Sequence, residues 1–237
     1  SLPYLNMTLQ LLERIGISAK LDGQRIHIAP KSDIEPISLA VESDWSAASY
    51  YYSIVALSKL GTKATLSTLR EDSLQGDRVL STIYTDFGVS TRFDDGKVIL
   101  EKVSGPMSQT LSYDLKDAPD IAQTIAVTAA GLHVDCFLTG LHTLPIKETD
   151  RLAAMKYELE KVGASVNIDA ESLRVFGQKA KLQSASIATY NDHRMAMAFA
   201  PLAILIPLTI EESFVVEKSY PDFWKDLSSI GYQVSYV

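Results

Sequence analysis

Apolar positions along the chain switch between two periods, and the switch repeats. Over residues 149–162 the apolar side chains Leu152, Met155, Leu159 and Val162 recur at helical spacing. Gly163 follows, where a helix commonly ends in a left-handed cap. Two short stretches, ASVNI and SLRVF, then alternate apolar and polar residues as half-buried strands do. The same grammar occurs three more times. Residues 5–15 lead to Gly16, ISAKL, an Asp22-Gly23 turn and RIHIA. Residues 73–87 lead to Gly88, VSTRF, an Asp95-Gly96 turn and KVILE. Residues 221–230 lead to Gly231 and one alternating stretch, YQVSYV. The four glycines lie 72, 75 and 68 residues apart. Asp-Gly between alternating stretches is a strong hairpin signal.

A second kind of helix lies between these copies. Its starts are Asp44, Asp120 and Asp192, 76 and 72 residues apart and in step with the glycines. An Asp at each start suits an N-cap, because its carboxylate accepts bonds from orphan backbone N–H groups. These helices are Ala-rich and apolar nearly all round, so they are expected inside, with sheets outside. Short strands are expected after them at KATLSTL, CFLTGL and FVVEK, and before them at stretches such as ISLAVE and SIATY. The predicted fold class is therefore α/β, built from repeated β-α-β-α-β-β units. The first copy has only its helix and hairpin, and Pro30 to Pro36 has linker composition. Residues 1–40 are thus expected to end one domain and residues 41–237 to form a second, of three units. A length of 237 residues, more than one average domain, agrees.

Composition narrows the function. Apolar residues make 46% and charged residues 22%, as in a globular chain. Lys and Arg number 22 against 29 Asp and Glu, a net charge of −7, which argues against non-specific nucleic-acid or anionic-membrane binding. A phosphate-bearing ligand would need a local cluster of cations. The single cysteine, Cys136, cannot form an internal disulfide, which favours a cytoplasmic setting. The longest apolar run, 195–210, is short of a bilayer span and contains Pro201 and Pro207. No signal-peptide pattern opens the chain, and its start at Ser1, without Met, is expected not to be the natural one.

The charges gather at one structural place. The loop before the helix of residues 149–162 reads Leu144-Pro145-Ile146-Lys147-Glu148-Thr149-Asp150-Arg151. Lys147 and Arg151 are four apart and would share a face if that turn were helical. Thr149 or Asp150 could cap it. Equivalent loops carry Lys218 and Arg70, with Arg78 further on, and another helix opens with Asn191-Asp192-His193-Arg194. Glu148 among cations would stay ionised, which suits a base better than an acid. Other candidates are structural. His27 falls in a hairpin strand, and His133 and His142 lack zinc-ligand spacing. Cys136 lies in an apolar strand, and Tyr50, Tyr51 and Tyr52 read as helix packing. There is no P-loop and no GxGxxG fingerprint.

Three segments carry a family resemblance: TYNDHRMAMAFAPLAIL at 189–205, PIKETDRLAAMKYELEKVGA at 145–164 and DAPDIAQTIAVTAAG at 117–131. With VESDWSAASYYYSIVAL at 41–57, SLPY at 1–4 and EKSYPDFWKDL at 217–227, the chain resembles the 5-enolpyruvylshikimate-3-phosphate synthase family from end to end. The resemblance implies the C-terminal portion of an inside-out α/β barrel, the enolpyruvyl transferase fold, truncated here. Residues 1–40 would end its lower domain. Residues 41–237 would form the upper one, lacking a strand that the family's N-terminus contributes. The implied reaction joins phosphoenolpyruvate to the 5-hydroxyl of shikimate 3-phosphate and releases phosphate, in the shikimate pathway of aromatic amino-acid biosynthesis. No cofactor and no metal are implied.

Roles follow from the same resemblance. Asp120 is the candidate base at the shikimate hydroxyl, and Glu148 the candidate for proton transfer at the methylene carbon. Arg151, Arg194 and Lys218 would hold phosphoenolpyruvate. Ser1, Tyr4, Asp120, Lys147 and Thr143 would contact shikimate 3-phosphate, with Asp192 and His193 in support. The family often has Asn and Arg where this chain has Thr143 and Pro145. The family's N-terminal half, with a Lys and a Ser-rich segment, is the implied partner, so this chain alone is expected to be inactive. Two alternatives are a UDP-N-acetylglucosamine enolpyruvyl transferase of the same fold and a non-catalytic phosphate-binding module.

Overall fold

The computed structural model describes residues 2–33 and 35–236. Helix α1 (Leu2–Arg14) leads to the antiparallel hairpin β1 (Ala19–Asp22) and β2 (Arg25–Ile28). An irregular stretch then enters α2 (Trp45–Leu57) and β3 (Lys63–Ser67). A 3-10 turn at Gly76–Val79 runs into α3 (Leu80–Asp86), followed by the hairpin β4 (Val89–Asp94) and β5 (Lys97–Lys102). Next come β6 (Thr110–Asp114), a 3-10 turn at Pro119–Ile121, α4 (Ala122–Gly131) and β7 (Asp135–Thr139). A 3-10 turn at Leu144–Ile146 precedes α5 (Arg151–Lys161), β8 (Ser165–Ile168) and β9 (Leu173–Phe176). The chain finishes with β10 (Ala185–Ile187), α6 (His193–Phe199), β11 (Leu208–Ile210) and α7 (Phe223–Ser229).

The repeat is visible in the sheets. The middle unit is complete: β6 pairs parallel with β7, β7 antiparallel with β9, and β9 antiparallel with β8. The first unit has the order β3-β5-β4, the same arrangement without its leading strand. The last unit has only the leading parallel pair, β10 with β11. Among the described residues these sheets stay separate and none closes into a barrel. Asp95 and Gly96, both at positive φ, make the tight β4–β5 turn that the sequence predicts.

Helices α2, α4 and α6 form the interior, as their Ala-rich composition requires. Every residue of α4 is buried. Small side chains let α2 and α4 approach closely, and their hydroxyls pair there: Ser49 with Thr124 at 3.0 Å, and Thr128 donating to Ser53 at 2.8 Å. A buried hydroxyl left unpaired would cost about 1–3 kcal/mol, so this ladder sets the register of the two helices. No helix among the described residues is long and apolar enough to cross a membrane.

Among the described residues, three expected strands are absent. Residues 37–42 (ISLAVE) are irregular, with Val41 exposed; a strand exists only as a pair, and nearby Ser43 N makes just one bond, to the Thr68 carbonyl. Residues 214–218 (FVVEK) lie in the 3-10 turn Ser213–Lys218. There the neighbours Val215 and Val216 are buried in one cluster, which a strand, with its alternating faces, could not arrange. The strand of that unit is instead β11, just after Pro207. Of the expected strand at 232–237, Val237 lies outside the described residues; residues 232–236 pair with no described strand, and the Tyr232 hydroxyl donates to the Pro201 carbonyl at 3.4 Å.

Candidate active site

The N-terminal ends of α5 and α6 and the turn before α4 meet at one place. Asp44 caps α2 and Asp192 caps α6, each accepting from the backbone N–H two residues on, at 2.8 and 2.9 Å. Asp120 breaks the expected pattern. It sits in the 3-10 turn ahead of α4, and its carboxylate caps nothing. It is free to receive side chains from four directions. Arg151 Nη1 donates to Oδ1 at 2.9 Å and Lys147 Nζ lies 3.3 Å from the same oxygen. Arg194 Nη2 reaches Oδ2 at 3.3 Å, and the Tyr4 hydroxyl donates to Oδ2 at 2.7 Å. Burial alone would raise the Asp120 carboxyl, but Arg194, the Tyr4 bond, Lys147 and Arg151 together hold it down at about 2.

Arg151 is the hub. Its side chain is only 1% exposed. Its Nε donates to Asp192 Oδ2 at 2.6 Å and its Nη2 to Glu148 Oε2 at 2.6 Å. With Asp120, the guanidinium fork thus serves three carboxylates, which a lysine's point charge could not do in this geometry. Asp150 caps α5 by accepting from Ala153 N at 3.0 Å. Residue 147 itself is extended, so Lys147 and Arg151 meet over Asp120 by loop geometry and not on one helical face. Glu148, Asp192 and His193 bring a donor atom each within 4.8 Å of one another. Both carboxylates are already engaged by Arg151, so the trio reads as part of an ion-pair network and not as a metal centre. His193 Nδ1 is buried without a partner. Burial first, then the charge of Arg194, lowers its pKa below the ordinary 6.5, so the ring is mainly neutral at pH 7.

The other expected site residues lie as follows. Lys218 donates to the Asn191 carbonyl at 2.7 Å and to its Oδ1 at 3.0 Å, beside the loop that carries Asp192 and Arg194. Thr143 precedes the turn at Leu144–Ile146, and its Oγ1 is buried without a partner. Ser1 lies outside the described residues. Arg70 and Arg78 do not join the cluster: Arg70 pairs with Asp72 on the surface at 2.8 Å, and Arg78 Nε has no partner.

A cavity of about 790 Å³ opens beside Asp120 and Arg194. Met7 and Leu11 of α1 and Leu39 line its apolar side. Its polar floor includes Ser46 and Asp77, which the sequence reading overlooked. Ser46 donates to Asp77 and accepts from Arg194 Nη2 at 3.4 Å. Burial pushes the Asp77 carboxyl up to about 6, with the Ser46 bond and the Arg194 charge limiting the rise. The available signal was positional: Asp77 precedes α3 much as the KETD loop precedes α5.

The profile of the EPSP synthase family (3-phosphoshikimate 1-carboxyvinyltransferase) matches residues 1–227. The chain belongs to this family. A 3-phosphoshikimate 1-carboxyvinyltransferase of Bacteroides fragilis (strain YCH46) is 41% identical over 237 residues, 99% of this chain and 57% of the relative. One from Methanospirillum hungatei JF-1 is 34% identical, over 97% of this chain and 54% of the relative. The chain thus spans a little over half the length of the curated relatives it matches. Among solved structures, the EPSP synthase of Acinetobacter baumannii superposes with a TM-score of 0.72 at 22% identity, covering 93% of this chain and 53% of that one. The enolpyruvyl transferase NikO of Streptomyces tendae gives 0.68 at 16%, covering 99% and 54%. At these identities the likeness carries the fold: this EPSP synthase family chain has part of the enolpyruvyl transferase fold.

Proposed function

We propose that the chain is the C-terminal part of a cytoplasmic 3-phosphoshikimate 1-carboxyvinyltransferase, which moves the enolpyruvyl group of phosphoenolpyruvate onto the 5-hydroxyl of shikimate 3-phosphate and releases phosphate. The observation that carries this reading is the convergence of Lys147, Arg151 and Arg194 on Asp120, with Glu148 beside it. Two anionic substrates need such cations, and addition of a hydroxyl across the double bond of an enol phosphate, followed by loss of phosphate, needs carboxylates to move protons.

In this reading Arg151, Arg194 and Lys218 hold phosphoenolpyruvate, while Lys147, Tyr4, Thr143 and Ser1 hold shikimate 3-phosphate. Asp192 and His193 support them. Asp120 takes the hydroxyl proton and Glu148 serves the methylene carbon. At a pKa of about 2, Asp120 is a weak base as it stands. Substrate phosphate and carboxylate groups that draw Arg194 and Lys147 onto themselves would restore its proton affinity. The Tyr4 hydroxyl now donates to Asp120 as the substrate hydroxyl would.

Residues 1–40 are assigned to the lower domain and 41–237 to the upper. Exposed apolar side chains on the first segment, Leu2, Ile26 and Ile28 among them, suit contact with the family's N-terminal half as partner. The test is phosphate release from phosphoenolpyruvate with shikimate 3-phosphate. The expected result is none by the chain alone and turnover once the N-terminal half is added. A well-folded complex that releases no phosphate overturns the reading, and turnover with UDP-N-acetylglucosamine as acceptor instead redirects it to the sister reaction.

A further inference from the structure

The loop between β10 and α6 ends at the N-cap Asp192 and so sets the first residues of α6, His193 and Arg194, and its backbone is unusual. Tyr190 and Asn191 are consecutive non-glycine residues in the left-handed region, at φ +54° and +57°. Asn takes this conformation readily, but a bulky Tyr beside it does so where the surroundings hold it there. The enforcing group on the α5 side is Glu158. Its side chain has no solvent exposure. Oε2 accepts from Ala188 N at 3.2 Å and Oε1 from the Tyr190 hydroxyl at 2.7 Å. Lys161, one turn on, sits 2.8 Å from Oε2 and donates to the Ser186 carbonyl of β10 at 3.0 Å. None of these groups lines the cavity beside Asp120.

Positions 151 and 158 are seven apart, two helical turns, and so lie on one face of α5 about 10 Å apart along its axis. That face grips the loop twice: Arg151 holds Asp192, and Glu158 holds Ala188 and Tyr190. Between the two grips, Lys218 fixes Asn191, and Asp192 N donates to the Thr189 carbonyl at 2.9 Å. These restraints fix Asp192, the N-cap that accepts from Arg194 N, and with it the start of α6 from which Arg194 projects.

We infer that Glu158 is a positioning residue: through Ala188 and Tyr190 it holds the left-handed turn that aims Arg194 at Asp120. Its consequence for substrate rests on the reading that Arg194 holds an anion, whereas its effect on the loop does not.

Three variants of the 237-residue chain test it: Glu158→Leu, which removes both acceptors at similar size, Glu158→Gln, which keeps an acceptor and a polar partner for Tyr190, and Tyr190→Phe at the half-exposed end. Amide hydrogen exchange is followed by mass spectrometry. In Glu158→Leu, exchange over residues 188–194 is expected to quicken about tenfold or more, with the β4–β5 hairpin unchanged. Glu158→Gln is expected to stay near wild type, and Tyr190→Phe to fall between. Unchanged loop exchange in Glu158→Leu overturns the inference, as does a rise spread evenly over the chain. Calorimetric titration with phosphoenolpyruvate runs alongside. Binding weakened about tenfold in Glu158→Leu and rescued in Glu158→Gln links the loop to the substrate. If wild type alone does not bind, the titration is repeated with the N-terminal half added; a well-folded complex that still does not bind overturns the functional reading, and the exchange data decide the role of Glu158 in either case.

Discussion

Arg151 Nε and Asp192 Oδ2 lie 2.6 Å apart, and neither side chain is accessible, at 1% and 0% exposure. This buried pair joins the first residue of α5 to the N-cap of α6, two helices from successive repeats. The same guanidinium holds Asp120 and Glu148, so three carboxylates are balanced by Arg151, Lys147 and Arg194. The cluster is therefore close to neutral before any substrate arrives. On the proposed reading, an anionic substrate would exchange ion pairs with it instead of entering a field of free cations.

Removing Arg151 should unfold the chain readily. Arg151→Met leaves buried Asp120 and Asp192 without their shared partner, a situation that costs about 3–5 kcal/mol. Arg151→Lys keeps the charge but loses the fork and should cost less. Urea denaturation measures both. A loss under about 1 kcal/mol for Arg151→Met would show that the network is not what joins α5 to α6.

Asp120 should give the protein an acid-sensitive limb. Its pKa is about 2 in the fold against an ordinary 3.8, so the unfolded chain takes up its proton first as pH falls. Its contribution is complete above about pH 4 and disappears through pH 2. At about 1.4 kcal/mol per pKa unit that is about 2 kcal/mol. Wild type and Asp120→Asn compared by denaturation at pH 5 and pH 2 should converge by roughly that amount. A gap that stays constant contradicts the assignment.

Much of this was legible in the sequence, and the exceptions share a cause. Gly88, Gly163 and Gly231 take positive φ after their helices, and Asp44, Asp150 and Asp192 cap theirs, because these are local events that local residues decide. The gathering of Lys147, Arg151 and Arg194 followed from the repeat, which puts like ends of successive units together. Asp120 looked like a third cap of the same kind, yet Pro119 and a 3-10 turn delay α4 and free the carboxylate. The strands expected at 37–42 and 232–237 have the right alternation but, among the described residues, no paired neighbour, and alternation cannot report a partner. Asp77 and Ser46 were missed because the burial of a carboxylate is settled by distant packing.

Glycine substitutions should separate close approach from backbone conformation. Gly163 has φ +93°, and a Cβ there would strike the Lys181 carbonyl. Gly23 has φ +57° with nothing within 4 Å of the added atom. Gly23→Ala should cost only the left-handed penalty, about 1 kcal/mol. Gly163→Ala should cost clearly more, since backbone must also move. Thermal unfolding of the two variants ranks them, and equal losses would mean that the 181 segment gives way freely.

Asp77 should act in the opposite sense to Asp120. In the fold it keeps its proton to about pH 6, because burial disfavours the charge more than Ser46 and Arg194 favour it. The unfolded chain releases that proton near 3.8. Between these values the folded state binds more protons, so stability falls as pH rises. Below about pH 4 both states hold the proton and Asp77 costs nothing; above pH 6 its full cost is present, about 3 kcal/mol at about 1.4 kcal/mol per unit. Asp77→Asn removes the charge while keeping an acceptor for Ser46. Relative to wild type, its stability by chemical denaturation should therefore rise between pH 4 and pH 8 by up to that amount. A difference that does not change with pH would mean that Asp77 is hydrated or paired in solution, and that Ser46 then holds Arg194 without help from a buried, protonated acid.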